Sequence, residues 1–234
     1  WGDYDNGTDT PVDGVQLRLY QDDGDGVLDA GDGAHIATAT TAGGGLYTFN
    51  VCPGNYIVEV IPSNFNAPSG ALYDGALMAA LISSPIGGAP DPDDNVDNDD
   101  NGDPVSGFGV ASAAITMAYG AEPDGADMNT NNRLDFGFKT PTTVTIGNRT
   151  LAEGTGGGPT AFNFTVTRSD DDEAFSLMVN TSGGTATSGT DFTALSGGSV
   201  SFLANDNNLT ATVTVNVTHD NMVEANETFT VNLS

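Results

Sequence analysis

Apolar and polar residues alternate along this chain in short bursts, and almost nowhere at helical spacing. Val15–Tyr20 (VQLRLY), Leu46–Asn50 (LYTFN), Tyr56–Ile61 (YIVEVI), Ala161–Thr167 (AFNFTVT) and Ala211–Val217 (ATVTVNV) each read as a strand. Residues two apart on a strand share a face, so alternation means one face in and one face out. Gly, Asn, Asp and Pro separate the bursts, which is the turn chemistry of antiparallel sheets. One stretch, Gly70–Ser83 (GALYDGALMAALIS), is rich enough in Ala and Leu, and bounded well enough by Gly70 and Pro85, to predict a short helix. The expected fold class is all-β: two tandem antiparallel β-sandwiches, with that helix in the first. A shift in composition near Thr140–Thr143 (TPTT) sets the expected boundary, giving domains 1–140 and 141–234. Asp clusters dominate before it and Thr, Asn and Ser after it, and the short Pro-Thr connection predicts a limited hinge.

Charge sharpens the picture. The chain of 234 residues has 32 acidic residues against 5 Lys and Arg, a formal charge of −27, and Lys139 is its only lysine. Nucleic acid and anionic membrane both need basic patches, so neither is expected as a partner. Cations are expected instead, either as bound ions or as a salty medium, since an acidic surface adapted to high salt has the same composition. Cys52 is the single cysteine, which excludes an intrachain disulfide; in the run NVCPGNY it reads as a small buried hydrophobe. Metal ions are another way to staple a chain that lacks disulfides. There is no starting Met, signal peptide or apolar run of membrane-spanning length between Trp1 and the closing FTVNLS, so the chain reads as a mature segment or fragment of something longer.

The densest acidic run is Gln21–Asp32, QDDGDGVLDAGD. With Gly26 at the sharp turn of a twelve-residue loop, Gln21, Asp23 and Asp25 fall at positions one, three and five. Val27 then offers its carbonyl at seven, Asp29 sits at nine and Asp32 closes at twelve, while Leu28 points inward as an anchor. Ca²⁺ takes 6–8 hard oxygens in a flexible shell, and this spacing supplies them. Gln at position one and Asp in place of a longer Glu at twelve predict weak affinity. A solvated acidic turn is the alternative.

The sequence GVQLRLYQDDGDGVLDAGD…GGGLYTFNVCPGNYIVEV resembles the B-type repeat of serine-aspartate-repeat surface proteins, related to the collagen-adhesin B domain. DPDDNVDNDDNGDP and DMNTNNRLDFGF fit the tail of the same module, so the resemblance spans roughly residues 1–139. It implies a transthyretin-like or Ig-like sandwich stiffened by several Ca²⁺ ions, most of them in this first domain, and used as a spacer or ligand-presenting segment at a cell surface. It also implies two further acidic sites. One is near the start, with Asp3, Asp5, Asp9 and Asp13. The other lies in Asp91–Asp103, with Asp91, Asp93, Asp94, Asp97, Asp99, Asp100 and Asp103, a run that would otherwise read as a self-repelling disordered loop.

From about Val144 the chain resembles a Calx-β domain, through LAEGTGGGPTAFNFTVTRS, GGTATSGTDFTALSGGSVSF and VNVTHDNMVEANETFTVNLS. The resemblance implies a Greek-key sandwich, some members of which bind Ca²⁺ at one end. Glu153, Asp191, Asp220 and Glu224 are the positions it carries over; His219 stands where the family often has an Asp, which predicts a weak or partly filled site. It also leads one to expect that a final edge strand is lacking after VNLS, either because the sequence is truncated there or because another chain completes the open edge in a filament.

Asn-x-Ser/Thr sequons at Asn6, Asn148, Asn163, Asn180, Asn208, Asn216, Asn226 and Asn232 are candidate glycosylation acceptors. Nothing in the sequence suggests a reaction. His35 and His219, the only imidazoles, have no zinc-type spacing, and neither a nucleophile elbow nor a phosphate loop occurs. The expectation is therefore a non-enzyme. It is a calcium-stiffened structural or adhesive segment of a secreted, multi-domain surface protein or extracellular filament. Its expected partners are neighbouring domains, copies of itself and a surface or matrix ligand. The alternatives are an accessory spacer or targeting module of a large secreted enzyme and, third, a Ca²⁺-responsive regulator.

Overall fold

A computed structural model describes residues 10–76, 78–83, 91–93, 100–221 and 224–234. The chain divides into two compact units, Trp1–Pro141 and Thr142–Ser234. Both are built of antiparallel strands, and the described residues contain one 3-10 turn, Pro62–Phe65, as their only helical element.

In the first unit, β1 (Gln16–Gln21), β2 (Ala37–Thr40), β3 (Gly54–Val60), β7 (Asp103–Pro104), β8 (Val110–Ala111) and β9 (Ile115–Met117) form the main sheet. The order is β2-β1-β3-β8-β7, with β9 also on β3. The run YIVEV makes β3 the centre because it is apolar on both faces, as a strand covered on both sides must be. Tyr56, Val58 and Val60 join Leu17, Leu19, Leu72, Val110 and Ile115 in the larger core. Ile57 turns the other way, onto Tyr20, Leu28 and Ala111. Each such side chain removed from water stabilises the unit by about 1.5–3 kcal/mol. Glu59 is also buried on β3, 1% exposed. Its carboxylate accepts from the Tyr20 hydroxyl at 2.9 Å and the Gly109 amide at 3.0 Å, with Arg18 at 3.8 Å. Those partners offset the cost of a charge inside a sheet.

Three expectations for this unit fail. The helix predicted over Gly70–Ser83 is absent. β4 (Tyr73–Asp74) and β5 (Ala79–Ala80) form a small hairpin, and β6 (Ile82–Ser83) pairs with β10 (Phe138–Lys139). Tertiary partners override propensity here: Leu72, fully buried, bonds its amide to the Asn64 carbonyl and its carbonyl to the Leu81 amide. Leu46–Asn50 is not a strand either. Only Leu46 bridges, to Ala42, while Tyr47 and Phe49 pack on the core from a loop and the Tyr47 hydroxyl donates to the Leu134 carbonyl. Cys52 is exposed rather than buried, because β3 begins two residues later, past Pro53.

The second unit is a sandwich of two three-stranded sheets. One is β11 (Val144–Ile146), β12 (Thr160–Arg168) and β15 (Thr210–Val217); the other is β14 (Gly198–Phe202), β13 (Phe175–Gly183) and β16 (Phe229–Leu233). Strict alternation sends Phe162, Phe164 and Val166 of β12, and Val213, Val215 and Val217 of β15, into one core with Val179, Val200 and Phe202. Phe192, on the loop before β14, stacks on Phe229 at 4.7 Å. Arg168 closes one end of the sandwich, 1% exposed. Its guanidinium donates to the carbonyls of Asn208, Glu173 and Leu203 and to the Asp206 carboxylate at 2.8 Å, and lies over the Phe202 ring.

Candidate metal centres

The first centre is one continuous loop leaving β1. Gly26 holds φ +81°, the left-handed turn the spacing demanded, and donates its amide to Asp22 Oδ1 at 2.9 Å. Asp32 accepts the amides of Asp23 and Asp29, one on each carboxylate oxygen, and so ties the two ends of the loop together. Asp25 accepts the Val27 amide, and the Asp23 and Asp29 carboxylates lie against Gly31, where a Cβ would collide. Leu28 is 1% exposed, packed beneath the loop on Tyr20, Ile57 and Ala111. Carboxylate oxygens of Asp22, Asp23 and Asp25 lie within 4.8 Å of one another. Desolvation, then the charges of Asp25, Asp32 and Asp29, push the Asp23 carboxyl above its ordinary value. Asp22 is the residue the spacing argument missed. The spacing puts Gln21 at position one, yet the carboxylate beside it takes the Gly26 amide that defines the turn. Val27 is exposed.

The second centre is assembled from three loops at the end of the second sandwich remote from Arg168. Glu153 precedes β12, Asp191 precedes β14, and Asp220, Glu224 and Glu227 lie between β15 and β16. Oxygens of Glu153, Asp220 and Glu224 form one group within 4.8 Å, and those of Asp191, Glu224 and Glu227 another, so Glu224 joins the two. The backbone fixes the loops. Asp191 accepts the Thr187 amide on its carboxylate at 2.6 Å and the Thr218 amide on its carbonyl at 2.8 Å, next to buried Phe192. Thr160 donates its hydroxyl to the Glu153 carbonyl, and its oxygen lies 2.6 Å from His219 Nε2; the other ring nitrogen is 3.2 Å from the Gly156 carbonyl. His219 thus braces the loop carrying Glu153 and is absent from both ligand groups. Desolvation, then the charges of Asp220, Asp191 and Glu153, raise the Glu224 carboxyl; desolvation, then Asp191, Glu224 and Glu153, raise Glu227. Glu227 was missed although the Glu-x-x-Glu-Thr-Phe run displays it three residues after Glu224.

Both centres offer hard carboxylate oxygens and neither includes a thiol or imidazole, the donor chemistry of Ca²⁺ rather than of zinc or copper. The convergence of these oxygens within 4.8 Å is the structural sign of fit: carboxylates held this close are groups that a divalent cation would bridge.

Other predicted positions fall elsewhere. Asp3, Asp5, Asp9, Asp94, Asp97, Asp99 and Asn6 lie outside the described residues. Asp13 binds the amides of Gly43, Gly44 and Gly45, which hold its carboxyl below its ordinary value. Asp91 accepts the Asp93 amide, Asp93 accepts the Thr116 amide, and Asp103 sits in β7; among the described residues these three enter no common cluster. Of the sequons, Asn148, Asn163, Asn208, Asn216, Asn226 and Asn232 are exposed and Asn180 is half-buried.

With this geometry in hand, comparison with known families gives one match: residues 140–234 fit the Calx-beta domain. Calx-beta domains are β-sandwiches, often calcium-binding modules of extracellular or membrane proteins. The match takes in the second centre and leaves the first unit outside it. Comparison with curated proteins returns no match. Among the described residues no helix is long and apolar enough to cross a membrane.

Proposed function

We propose that this chain is a calcium-stiffened structural or adhesive segment of a secreted, multi-domain surface protein, with its first unit a serine-aspartate-repeat B-like module. The observation that carries the reading is the second centre, where five carboxylates from three loops converge at one end of a sandwich that fits a calcium-binding family. The bound ion supplies positive charge that cancels their repulsion. Glu153, Asp191, Asp220, Glu224 and Glu227 hold it in the second unit, and Asp22, Asp23, Asp25, Asp29 and Asp32 in the first. Ions that bind only the folded state stabilise it by mass action, which serves a chain that has one cysteine and no disulfide. The reading is of a non-enzyme at the cell surface. Its partners are neighbouring domains, copies of the chain or a matrix ligand, and its exposed sequons are available to glycosylation.

Thermal unfolding in EGTA against millimolar Ca²⁺, at matched ionic strength and with a high-NaCl control, tests it. Stabilisation by Ca²⁺ alone is expected, about 2.7 kcal/mol per site at a hundredfold excess over Kd. Equal stabilisation by NaCl, with nothing added by Ca²⁺, would make the acidity an adaptation to salt.

A further inference from the structure

In the first unit, the outer edge of the main sheet lies open beside a basic recess. β2 stands at the end of the order β2-β1-β3-β8-β7, because the chain crosses β1 after β2 and lays β3 on the far side. Thr41 donates its amide to the Val15 carbonyl, and the register then pairs Gln16 with Thr40, Leu17 with Ala39 and Arg18 with Thr38. Antiparallel bonding alternates, so Ala39 bonds to β1 while the amides and carbonyls of Thr38 and Thr40 point away from it. The other side of β1 agrees: Ile61 donates to the Gln16 carbonyl, so Gln16 and Arg18 bond to β3 and not to β2. Among the described residues no hydrogen bond outside the sheet ladder reaches Thr38 or Thr40, and both are exposed. Natural edges are commonly blunted by charge or Pro. β2, ATAT, has neither.

The side chains beside this edge are donors. Gln16 and Arg18 share a face with Thr38 and Thr40. With His35 and Ile61 they line a recess of about 210 Å³ whose lining includes no carboxylate. The whole chain has 5 Lys and Arg and 2 His against a net charge of −27, and two of those groups meet here. Arg168 and Arg133 each bond an aspartate, at 2.8 and 3.3 Å. Arg18 does not. Its carboxylate neighbour is Glu59, at 3.8 Å, beyond hydrogen-bond reach, and Glu59 already accepts from Tyr20 and Gly109. Most of the five guanidinium N–H donors are therefore available to a ligand in the recess. His35 packs edge-on to Tyr20 and makes no hydrogen bond among the described residues.

We infer that β2 takes up an extended acidic segment of a partner protein as an added strand, with its backbone on Thr38 and Thr40 and its carboxylates in the recess. The inference goes beyond the proposed function and is independent of the ions. The open edge selects an extended peptide, because the amides and carbonyls of two residues supply roughly four backbone hydrogen bonds. The recess selects the side chains. On a strand laid antiparallel to β2, the residues opposite Thr38 and Thr40 are two apart and point to the Arg18 face. Two strand spacings, roughly 10 Å, separate such a residue from the Arg18 backbone. Arg and Glu side chains span that gap together, and a shorter Asp does not. The preferred segment is therefore Glu-x-Glu within an extended run. Arg18 is then shared between Glu59 inside and the added carboxylate outside, with a planar fork suited to both. His35, Gln16 and the hydroxyls of Thr38 and Thr40 meet the remaining oxygens. The acidity of the rest of the chain is screened beyond about 8 Å at physiological ionic strength, so the local donors decide. The contact is small, and the complex is accordingly weak and transient.

Titration of the full, isotope-labelled chain with the peptide TVEVEVT in millimolar Ca²⁺ tests this. Exchange of the Thr38 and Thr40 amides should slow about tenfold at a tenfold excess of peptide over Kd. The Ala39 amide, already bonded to β1, should change little. TVQVQVT should bind about tenfold more weakly, and TEVVEVT, which has the same composition with its acids on opposite faces, should also lose affinity. Thr40→Pro removes one outward amide and leaves the β1 ladder intact, so it should weaken binding about tenfold. Arg18→Lys keeps a cation beside Glu59, and with it the fold, but loses the fork and should weaken binding severalfold. No slowing at millimolar peptide, equal binding of the Glu and Gln peptides, or unchanged binding to both variants would each overturn the inference. So would protection confined to the acidic loops, which would mean bridging through ions only. Unfolding with and without Ca²⁺ in the same samples, before peptide is added, reads the calcium proposal separately, so that either can fail alone.

Discussion

The two ends of the second sandwich solve one problem in opposite ways. Loops that leave strand ends carry carbonyls and carboxylates that must be held together. At one end the chain supplies the cation itself: Arg168, buried, gathers three carbonyls and Asp206. At the other, Glu153, Asp191, Asp220, Glu224 and Glu227 converge, and desolvation, then the charges of the neighbouring carboxylates, raises the carboxyls of Glu224 and Glu227. β12 spans the two ends, with Thr160 opposite Val217 at one and Thr167 opposite Thr210 at the other. A covalently tethered cation gives a constant clamp. A borrowed one, as proposed for the other end, would give a clamp that depends on the medium.

The sharpest way to break that contrast is Arg168→Met. It leaves Asp206 and three carbonyls without their donor, so the second unit should lose about 3–5 kcal/mol by denaturant unfolding. The loss should be the same in EGTA and in Ca²⁺. A loss that shrank in Ca²⁺ would mean the two ends are coupled through the sheets. Removing Ca²⁺ should cost less, about 2.7 kcal/mol per site at a hundredfold excess over Kd, and should spare the local order at the Arg168 end as read by exchange of the Arg168 and Asn208 amides, bonded to the Leu209 carbonyl and the Asp206 carboxylate. Smaller again is Glu227→Gln. In EGTA it should stabilise the second unit, because it relieves repulsion, and in Ca²⁺ it should lower the affinity measured by calorimetry. If it destabilised in both media, Glu227 would be a structural acceptor and not a ligand.

The two centres differ in how far the sequence displayed them. The loop at Asp22–Asp32 is contiguous, so spacing alone located its turn at Gly26 and its anchor at Leu28. The spacing puts Gln21 at position one, whereas in the fold it is the neighbouring Asp22 carboxylate that takes the Gly26 amide. The assembled centre has no local spacing to read. Its acids lie up to 74 positions apart in sequence, from Glu153 to Glu227, and only the family resemblance brought four of them forward. In the fold, strict alternation in β12 and β15 was readable because those strands are covered on one face only. Alternation misled at Leu46–Asn50, where Tyr47 and Phe49 dip into the core from a loop, and Ala-Leu content misled at Gly70–Ser83, where Leu72 is claimed by Asn64 and Leu81. Propensity and period report which side chains go inside; they do not report which backbone groups pair.

The smallest expected effect is on pH, and its sign separates a cluster of mutually repelling carboxylates from one carboxylate satisfied by backbone amides. Glu224 and Glu227 are raised above the ordinary 4.5 in the folded state. Between 4.5 and the raised values the folded chain binds more protons than the unfolded one, so in EGTA the second unit should gain stability as pH falls through that window. In Ca²⁺ the same protonation competes with the ion, so the stabilisation due to Ca²⁺ should shrink over the same window and the two titrations should converge. Asp13 behaves oppositely. The amides of Gly45, Gly44 and Gly43 lower it below 3.8, so its contribution to the first unit is intact above 3.8 and lost as pH falls through its folded value. Thermal unfolding followed across pH 3 to 7, with and without Ca²⁺, reads both signs. Parallel curves in the two media for the second unit would show that its carboxylates titrate without an ion to displace, and would return that end of the sandwich to a set of solvated loops.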